Sequence, residues 1–400
     1  MKAVIIGNGL AGTIAAKTLR ELDASVEIEV IAGESYPYYP RPNLIDFMAG
    51  VLPYERLFAF PANWHERQNI TIRLGASVVR IDPAAGAVET RDGRTSFFDR
   101  LLLANGSSAA VPPLKGSDKK GVFVLKTLDD ALSILEVLKT RPRVALLGGG
   151  LLGLEIARAI KARGADVSVN EFFDRLLPRQ LDPPGAALLK TQLERLGIGV
   201  RLGAAAEEIT GEGEASGLKF KDGSSAEADM VVIAAGVRPN VSLAKEAGIE
   251  ADRGVLVDDH LRTSHPAVYA AGDVAQHNGR VYGIIPASFD QARAAAFNML
   301  GMEKRYEGTV PSNTLKIVGV FVTSVGLVNP EGPGYEMIAK EDVAAGIYRK
   351  LVLKDGVLEG AIWMGTKKGA ADIARLTASR KNVAALKTDI LEDGFDFATL

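Results

Sequence analysis

The chain has no cysteine in 400 residues. That excludes disulfides, thiolate-bound metals and iron–sulfur clusters held by the chain itself. It also excludes disulfide reduction through a dithiol and peroxide reduction through a cysteine sulfenate. Histidine is scarce. His65, His260, His265 and His277 are the full set; they show no metal-ligand spacing, so no metal is expected, and His65 and His277 read as solvated loop or helix residues. Neither sign of charge is in excess, with 47 basic and 49 acidic residues and a net charge of -2. Without a run of lysine and arginine, nothing points to nucleic acid or to a membrane surface. No apolar stretch reaches the ~20 residues of a membrane-spanning helix. Met1 to Leu19 has the lysine-then-apolar outline of a signal peptide. Gly7, Asn8, Gly9 and Gly12 break it, and a cytoplasmic protein is expected.

What the chain does have is length and glycine in a particular pattern. At 400 residues it is too long for one compact domain. A short apolar run breaks twice into three glycines: Val4-Ile5-Ile6-Gly7-Asn8-Gly9-Leu10-Ala11-Gly12, and Val144-Ala145-Leu146-Leu147-Gly148-Gly149-Gly150-Leu151-Leu152-Gly153. Each break stands between a predicted strand (Ala3 to Ile6; Val144 to Leu147) and a predicted helix (Ala11 to Leu22; Leu151 to Arg163). A strand turning sharply into a helix leaves free N–H groups and the positive end of the helix dipole facing outward, which suits a pyrophosphate. Gly7 and Gly148 permit the tight turn. Gly9 and Gly150 let phosphate approach the backbone, and Gly12 and Gly153 let helix and strand pack closely. A second strand follows each helix (Ser25 to Ile31; Asp166 to Val169), with Glu34 and Glu171 near its end. A carboxylate there accepts hydrogen bonds from a ribose hydroxyl.

Glu171 also bears on coenzyme choice. A 2′-phosphate beside it would place two like charges about 4 Å apart, a repulsion of roughly 4 kcal/mol at an effective dielectric near 20. Phe172 and Phe173 follow, where an NADP site would more usefully offer arginine. NADH is expected over NADPH.

The rest of the chain alternates in the same way. A proline- and tyrosine-rich loop, Tyr36 to Pro42, precedes β-rich segments with turns at Asp82-Pro83 and Asp92-Gly93 and an apolar strand from Arg100 to Leu103. Pro112-Pro113 and Lys115-Gly116 mark a crossing. In the second half, Leu181-Asp182-Pro183-Pro184 opens a helix to Leu196, a β-meander turns at Asp222-Gly223, and a strand runs from Met230 to Ala234. A helix is predicted from Ala287 to Leu300. The last block carries strand-like runs at Leu315 to Val322, Tyr348 to Leu353 and Leu358 to Met364, then a helical tail.

With these motifs the chain resembles the FAD-dependent pyridine nucleotide-disulfide oxidoreductases, through nearly its whole length. Leu102-Leu103-Ala104-Asn105-Gly106-Ser107 is similar to the family's Ala-Thr-Gly strand end, with Asn105 in place of threonine. Val232 to Asn240, containing Gly236, resembles the second such element. Thr263 to Asp273 is the most specific match, and it implies that Asp273 binds the ribityl chain of FAD. Tyr38-Tyr39-Pro40-Arg41-Pro42-Asn43-Leu44 resembles a segment of rubredoxin, ferredoxin and nitrite reductase flavoproteins, in which the arginine and proline lie along the FAD. Several ferredoxin-reductase relatives continue with Ser-Lys, where this chain has Ile45-Asp46. The resemblance implies an α/β fold with two Rossmann-like dinucleotide-binding domains of three-layer ββα type and a small α+β C-terminal domain. The FAD-binding domain would be discontinuous, 1–112 and 243–310, around an NAD-binding domain, 113–242, with the C-terminal domain at 311–400.

The expected FAD-binding residues are Gly7, Gly9, Leu10, Ala11, Gly12, Glu34, Arg41, Pro42, Val78, Ala104, Asn105, Gly106 and Asp273. Those for NAD are Gly148, Gly150, Leu151, Leu152, Gly153, Glu171 and Gly236. Glu155, at the family's Gly-x-Glu, orients the nicotinamide or pairs with a charge near the flavin, unless it is simply an acidic residue favoured by a helix N-terminus. The Ile285-Pro286-Ala287 helix start resembles the element aimed at the flavin pyrimidine edge.

Hydride transfer from NADH to FAD needs no protein acid or base. With no thiol, the electrons go to an external carrier or to oxygen. The last block resembles the C-terminal domain of rubredoxin reductases, which implies a small iron–sulfur protein of rubredoxin or ferredoxin type as acceptor. Lys316, Lys350, Lys354, Lys367 and Lys368 are expected to present positive charge to it. A hydrogen-peroxide-forming NADH oxidase and a non-enzymatic flavoprotein subunit or redox sensor remain alternatives. The oligomeric state is left open between monomer and homodimer.

Overall fold

Each glycine turn leaves the central strand of a five-stranded parallel sheet. In a computed structural model of the chain, the first sheet runs Val268–Ala270, Arg100–Leu103, Lys2–Ile6, Glu27–Ile31, Ile70–Arg73. The second runs Ile198–Arg201, Asp166–Asn170, Arg143–Leu147, Met230–Ile233, Val122–Val124. The central strands read as unbroken apolar runs because both faces of a parallel sheet are covered. Val4, Ile5, Leu101, Leu102, Val144, Leu146 and Val232 are all buried. Helix Leu10–Leu22 packs on the first sheet beside helix Ile285–Met299. Helix Leu151–Lys161 covers the second. An antiparallel three-stranded ribbon accompanies each sheet: Val78–Asp82, Ala87–Thr90, Thr95–Phe97, and Ala206–Thr210, Gly217–Phe220, Ser225–Glu227.

The structure describes residues 1–310, 312–317 and 320–399, except for the side chains of 312–317 and 399. The chain divides into two compact units. One holds Met1–Leu44, Leu52–Ser108 and Val237–Thr309; the other holds Ile45–Val51, Ala109–Gly236 and Val310–Leu400. The last block forms an antiparallel sheet in the order Ser312–Ile317, Val320–Gly326, Val357–Met364, Ile347–Lys354, Tyr335–Asp342. Helix Ala370–Ala378 closes over it, burying Leu351, Leu353, Trp363, Ile373 and Leu376 in one core.

Several expectations need correction. The run from Leu315 to Val322 is not one strand: its two ends belong to antiparallel neighbours, Leu315 facing Val322 and Ile317 facing Val320. A largely apolar run hides such a reversal because both arms of the hairpin carry apolar residues. Residues 318 and 319 lie outside the described residues. The expected helical tail is one helix followed by two short 3-10 turns. His65 and His277 are not solvated, with exposures of 7% and 1%. His65 sits edge-on to Trp64, and burial lowers its imidazole below the ordinary value. His277 lies 2.9 Å from Asp259 and packs edge-on against Tyr306. Among the described residues, no helix is long and apolar enough to cross a membrane.

Candidate functional site

In the first unit, three strand ends lie side by side: Ile6, Leu103 and Ala270. Open parallel sheets hold ligands at this carboxyl edge. Gly7 turns there with φ +111°, and a Cβ on it would stand 2.3 Å from the Ala104 carbonyl oxygen. A Cβ on Gly12 would stand 1.9 Å from the Gly7 oxygen, so helix and strand meet closer than any side chain permits. Gly9 is the contrast. It caps helix Leu10–Leu22 in an extended conformation with no side-chain cap, and nothing lies within 4 Å of where its Cβ would be. The first N–H groups of that helix, from Leu10 through Gly12, therefore receive no capping side chain. Asn8 keeps a buried amide nitrogen without a partner, while its oxygen accepts from the Thr13 hydroxyl at 3.2 Å.

Gly272, at φ +82°, brings the Asp273 turn against the same helix start, since its Cβ would lie 2.9 Å from that of Ala11. Ser107 donates to Asp273 at 2.7 Å. The structure thus gathers Gly7, Gly9, Leu10, Ala11, Gly12, Ala104, Asn105, Gly106 and Asp273 at one edge. Glu34 stands beyond the second strand. Arg41 reaches its carboxylate with both terminal guanidinium nitrogens, and Tyr39 donates to it at 2.5 Å. The Glu34 carbonyl also accepts from Gly75 at 2.9 Å, which draws in the segment leading to Val78. Pro42 follows Arg41 in that loop.

The second unit repeats the plan with one difference. Gly148, at φ +115°, would drive a Cβ to 2.5 Å from the Ala234 oxygen, and Gly153 would drive one to 2.1 Å from the Gly148 oxygen. Gly150 and Gly236 are open. Helix Leu151–Lys161 starts with neither a side-chain cap nor an acidic residue in its first turn. The difference is Glu171, which is 6% exposed. Its carboxylate accepts from the Gly149 N–H at 2.5 Å and from the Phe173 N–H at 2.8 Å. It therefore braces the glycine turn at the end of strand Asp166–Asn170. Phe172 and Phe173 stand exposed beside it, edge to face.

Glu155 is half-buried one residue past the first helical turn. A helix-dipole account of it is weak there, because the effect fades within that turn. The Asp46 that replaces lysine meets Arg158 at 3.0 Å, and Arg163 donates to the Met48 carbonyl at 2.7 Å. Reading the sequence missed both arginines; the charge change at Asp46 was the available signal. The surface role expected of Lys350 is corrected. Its ammonium is buried, 2.9 Å from Asp182. Lys354, Lys367 and Lys368 are exposed, and the Lys316 side chain lies outside the described residues. Among the described residues, no cluster of acidic or histidine side chains could hold a metal.

The glycine cradles, open helix starts and orphaned Asn8 amide fit a dinucleotide in each unit. Comparison with known proteins agrees. Residues 1–296 match the pyridine nucleotide-disulphide oxidoreductase model, and 311–381 match the rubredoxin NAD+ reductase C-terminal domain. The assimilatory nitrate reductase electron transfer subunit of Bacillus subtilis is 35% identical over 98% of this chain, which covers 51% of that protein. The chain thus spans about half the length of the curated relatives it first matches. The NADH-rubredoxin oxidoreductase of Clostridium acetobutylicum is 30% identical over 96% of this chain and 97% of its own length. A solved ferredoxin reductase of Rhodopseudomonas palustris superposes with a TM-score of 0.90 at 26% identity, over 100% of this chain and 99% of that one. On the glycine cradles and these matches together, the chain belongs to the pyridine nucleotide-disulphide oxidoreductase family.

Proposed function

We propose that this chain is an NADH-dependent FAD oxidoreductase that delivers electrons to a small iron–sulfur protein of rubredoxin or ferredoxin type. The observation that carries the reading is a cysteine-free chain with two open glycine turns, joined to a block matching the rubredoxin reductase C-terminal domain. The Gly7–Gly12 turn, Glu34, Arg41, Pro42, Val78, Ala104, Asn105, Gly106 and Asp273 hold FAD. Gly148, Gly150, Leu151, Leu152, Gly153, Glu171 and Gly236 hold NADH. When bound, NADH supplies a hydride, and FAD takes it up and passes the electrons on.

The protein's own part is placement and electrostatics. Helix starts offer N–H groups to pyrophosphate, and carboxylates fix the sugars. Glu155 orients the nicotinamide. The domain limits in this reading are 1–112 with 243–310, 113–242, and 311–400. The cytoplasm, where NADH is available, is the proposed compartment.

A second reading has one specific support: the relatives first matched are about twice as long. In that reading the chain feeds a redox centre carried by another domain or subunit. Anaerobic stopped-flow reduction with NADH, followed by mixing with rubredoxin, ferredoxin or air, tests both. Fast oxidation by a carrier supports the first. Equal sluggishness with every carrier and with air supports the second, and fast oxidation by air alone makes the protein an oxidase.

A further inference from the structure

The loop from Glu171 to Asp182 connects the ribose-facing carboxylate to the start of helix Pro183–Arg195. Its near end is held by the glycine turn. Glu171 accepts from Gly149 and Phe173, and Leu177 donates to the Gly149 carbonyl at 3.3 Å from a left-handed conformation, φ +48°. Leu176 is fully buried, and its Cδ2 would sit 2.6 Å from a Cβ on Gly149. Loop and glycine turn are therefore one packed piece.

The far end is held by the last block. Asn329 donates its amide to two loop carbonyls, Pro178 at 3.3 Å and Leu181 at 3.1 Å. Asp182, which caps the following helix through Gly185, also accepts from Lys350 at 2.9 Å and from the Tyr348 hydroxyl at 2.6 Å. Lys350 spends another proton on the Val328 carbonyl at 3.1 Å. Lys350 and Asp182 are each 6% exposed. A buried ion pair whose ends are further hydrogen-bonded can specify one geometry without adding much stability. Here it fixes where the loop ends.

We propose that the last block holds the Glu171–Asp182 loop in its nucleotide-binding shape, with Lys350 and Asn329 as positioning residues for the dinucleotide at the second glycine turn. This rests on the reading that NADH binds there. The block would then influence coenzyme affinity without touching the coenzyme.

The test uses the full-length FAD-loaded protein and ADP-ribose, which binds without reducing the flavin. One variant is Asn329→Ala. The other pairs Lys350→Met with Asp182→Asn, removing both buried charges while keeping one oxygen for the helix cap and turning an NH2 group towards the Tyr348 hydroxyl, which can accept from it. Each is expected to raise the ADP-ribose Kd about fivefold or more, the lower range of inter-site coupling. Amide exchange in residues 171–182 should quicken without nucleotide. The KM for NADH should rise while kcat at saturation holds, a split that general destabilisation would not produce. Kd values within about twofold of wild type would overturn the proposal alone. A wild type that binds no ADP-ribose would overturn the dinucleotide reading and the proposal with it.

Discussion

Replacing Glu171 with glutamine separates two tasks that this carboxylate performs at once. It accepts from Gly149 at 2.5 Å and from Phe173 at 2.8 Å, so both oxygens are engaged by the backbone. Glutamine keeps one acceptor and turns the other into an NH2 group facing an N–H. One bond to a charged acceptor is lost, worth about 1.5–3 kcal/mol. If that loss falls on the nucleotide-binding shape of the turn, NADH binds about 10- to 100-fold more weakly. NADPH suffers the same loss but escapes a repulsion of about 4 kcal/mol, for a net gain of about 1–2.5 kcal/mol. The wild type is expected to favour NADH at least about tenfold, and the variant should erase that preference from both sides. Anaerobic stopped-flow reduction of the flavin, titrated with each coenzyme, gives the Kd values. NADH binding unchanged in the variant would show that the Gly149 bond does not shape the turn. NADPH binding unimproved would show that the carboxylate does not face the 2′ position.

The two glycine cradles should fail separately. Gly12→Ala places a Cβ 1.9 Å from the Gly7 oxygen and should yield protein without flavin, whereas Gly153→Ala, at 2.1 Å from the Gly148 oxygen, should stay yellow but resist bleaching by NADH. Absorbance spectra before and after NADH distinguish them. Arg305, and after it His277, hold the Asp259 carboxyl down at about 2, below its ordinary 3.8. A lowered carboxyl stabilises the fold fully above its unfolded value, and the benefit fades as pH falls from about 4 towards 2. Urea melts from neutral pH down to that window should steepen less with pH in Asp259→Asn than in wild type, and parallel curves would refute the assignment. Reversing the exposed Lys354, Lys367 and Lys368 together to glutamate should slow the carrier reaction at low ionic strength while reduction by NADH stays unchanged. Equal carrier rates would place docking elsewhere. Lys350→Glu, by contrast, should lower the melting temperature sharply, because breaking a buried pair costs about 3–5 kcal/mol.

The two glycine turns were legible because glycine answers a local demand. At Gly7, Gly12, Gly148 and Gly153 no side chain fits, and the demand falls within a few residues of a strand end. The two α/β units followed from the repeated strand–turn–helix pattern. What could not be read was pairing across long sequence separations. Lys350 alternates along a strand like any surface lysine, and only Asp182, far upstream, explains why it is buried. His277 and Asp259 pose the same problem. The hairpin between Leu315 and Val322 escaped notice because apolar patterning records burial and not direction. Glu171 stood out in the sequence as a candidate for the ribose, but its grip on Gly149 depends on a turn whose shape the sequence only outlines.

The order of strands in the first sheet has a consequence during synthesis. Strand Arg100–Leu103 is finished early, yet its outer neighbour, Val268–Ala270, is made more than 160 residues later. Until then Leu101, Leu102 and Leu103 present an open, wholly apolar edge, the surface from which unwanted strand addition starts. The five strands of the second parallel sheet are all synthesised by Ile233 and can pair while that edge waits. A nascent chain stalled between Gly236 and Ala270 would therefore be the aggregation-prone species, and a trigger-factor-like holdase would bind it best there.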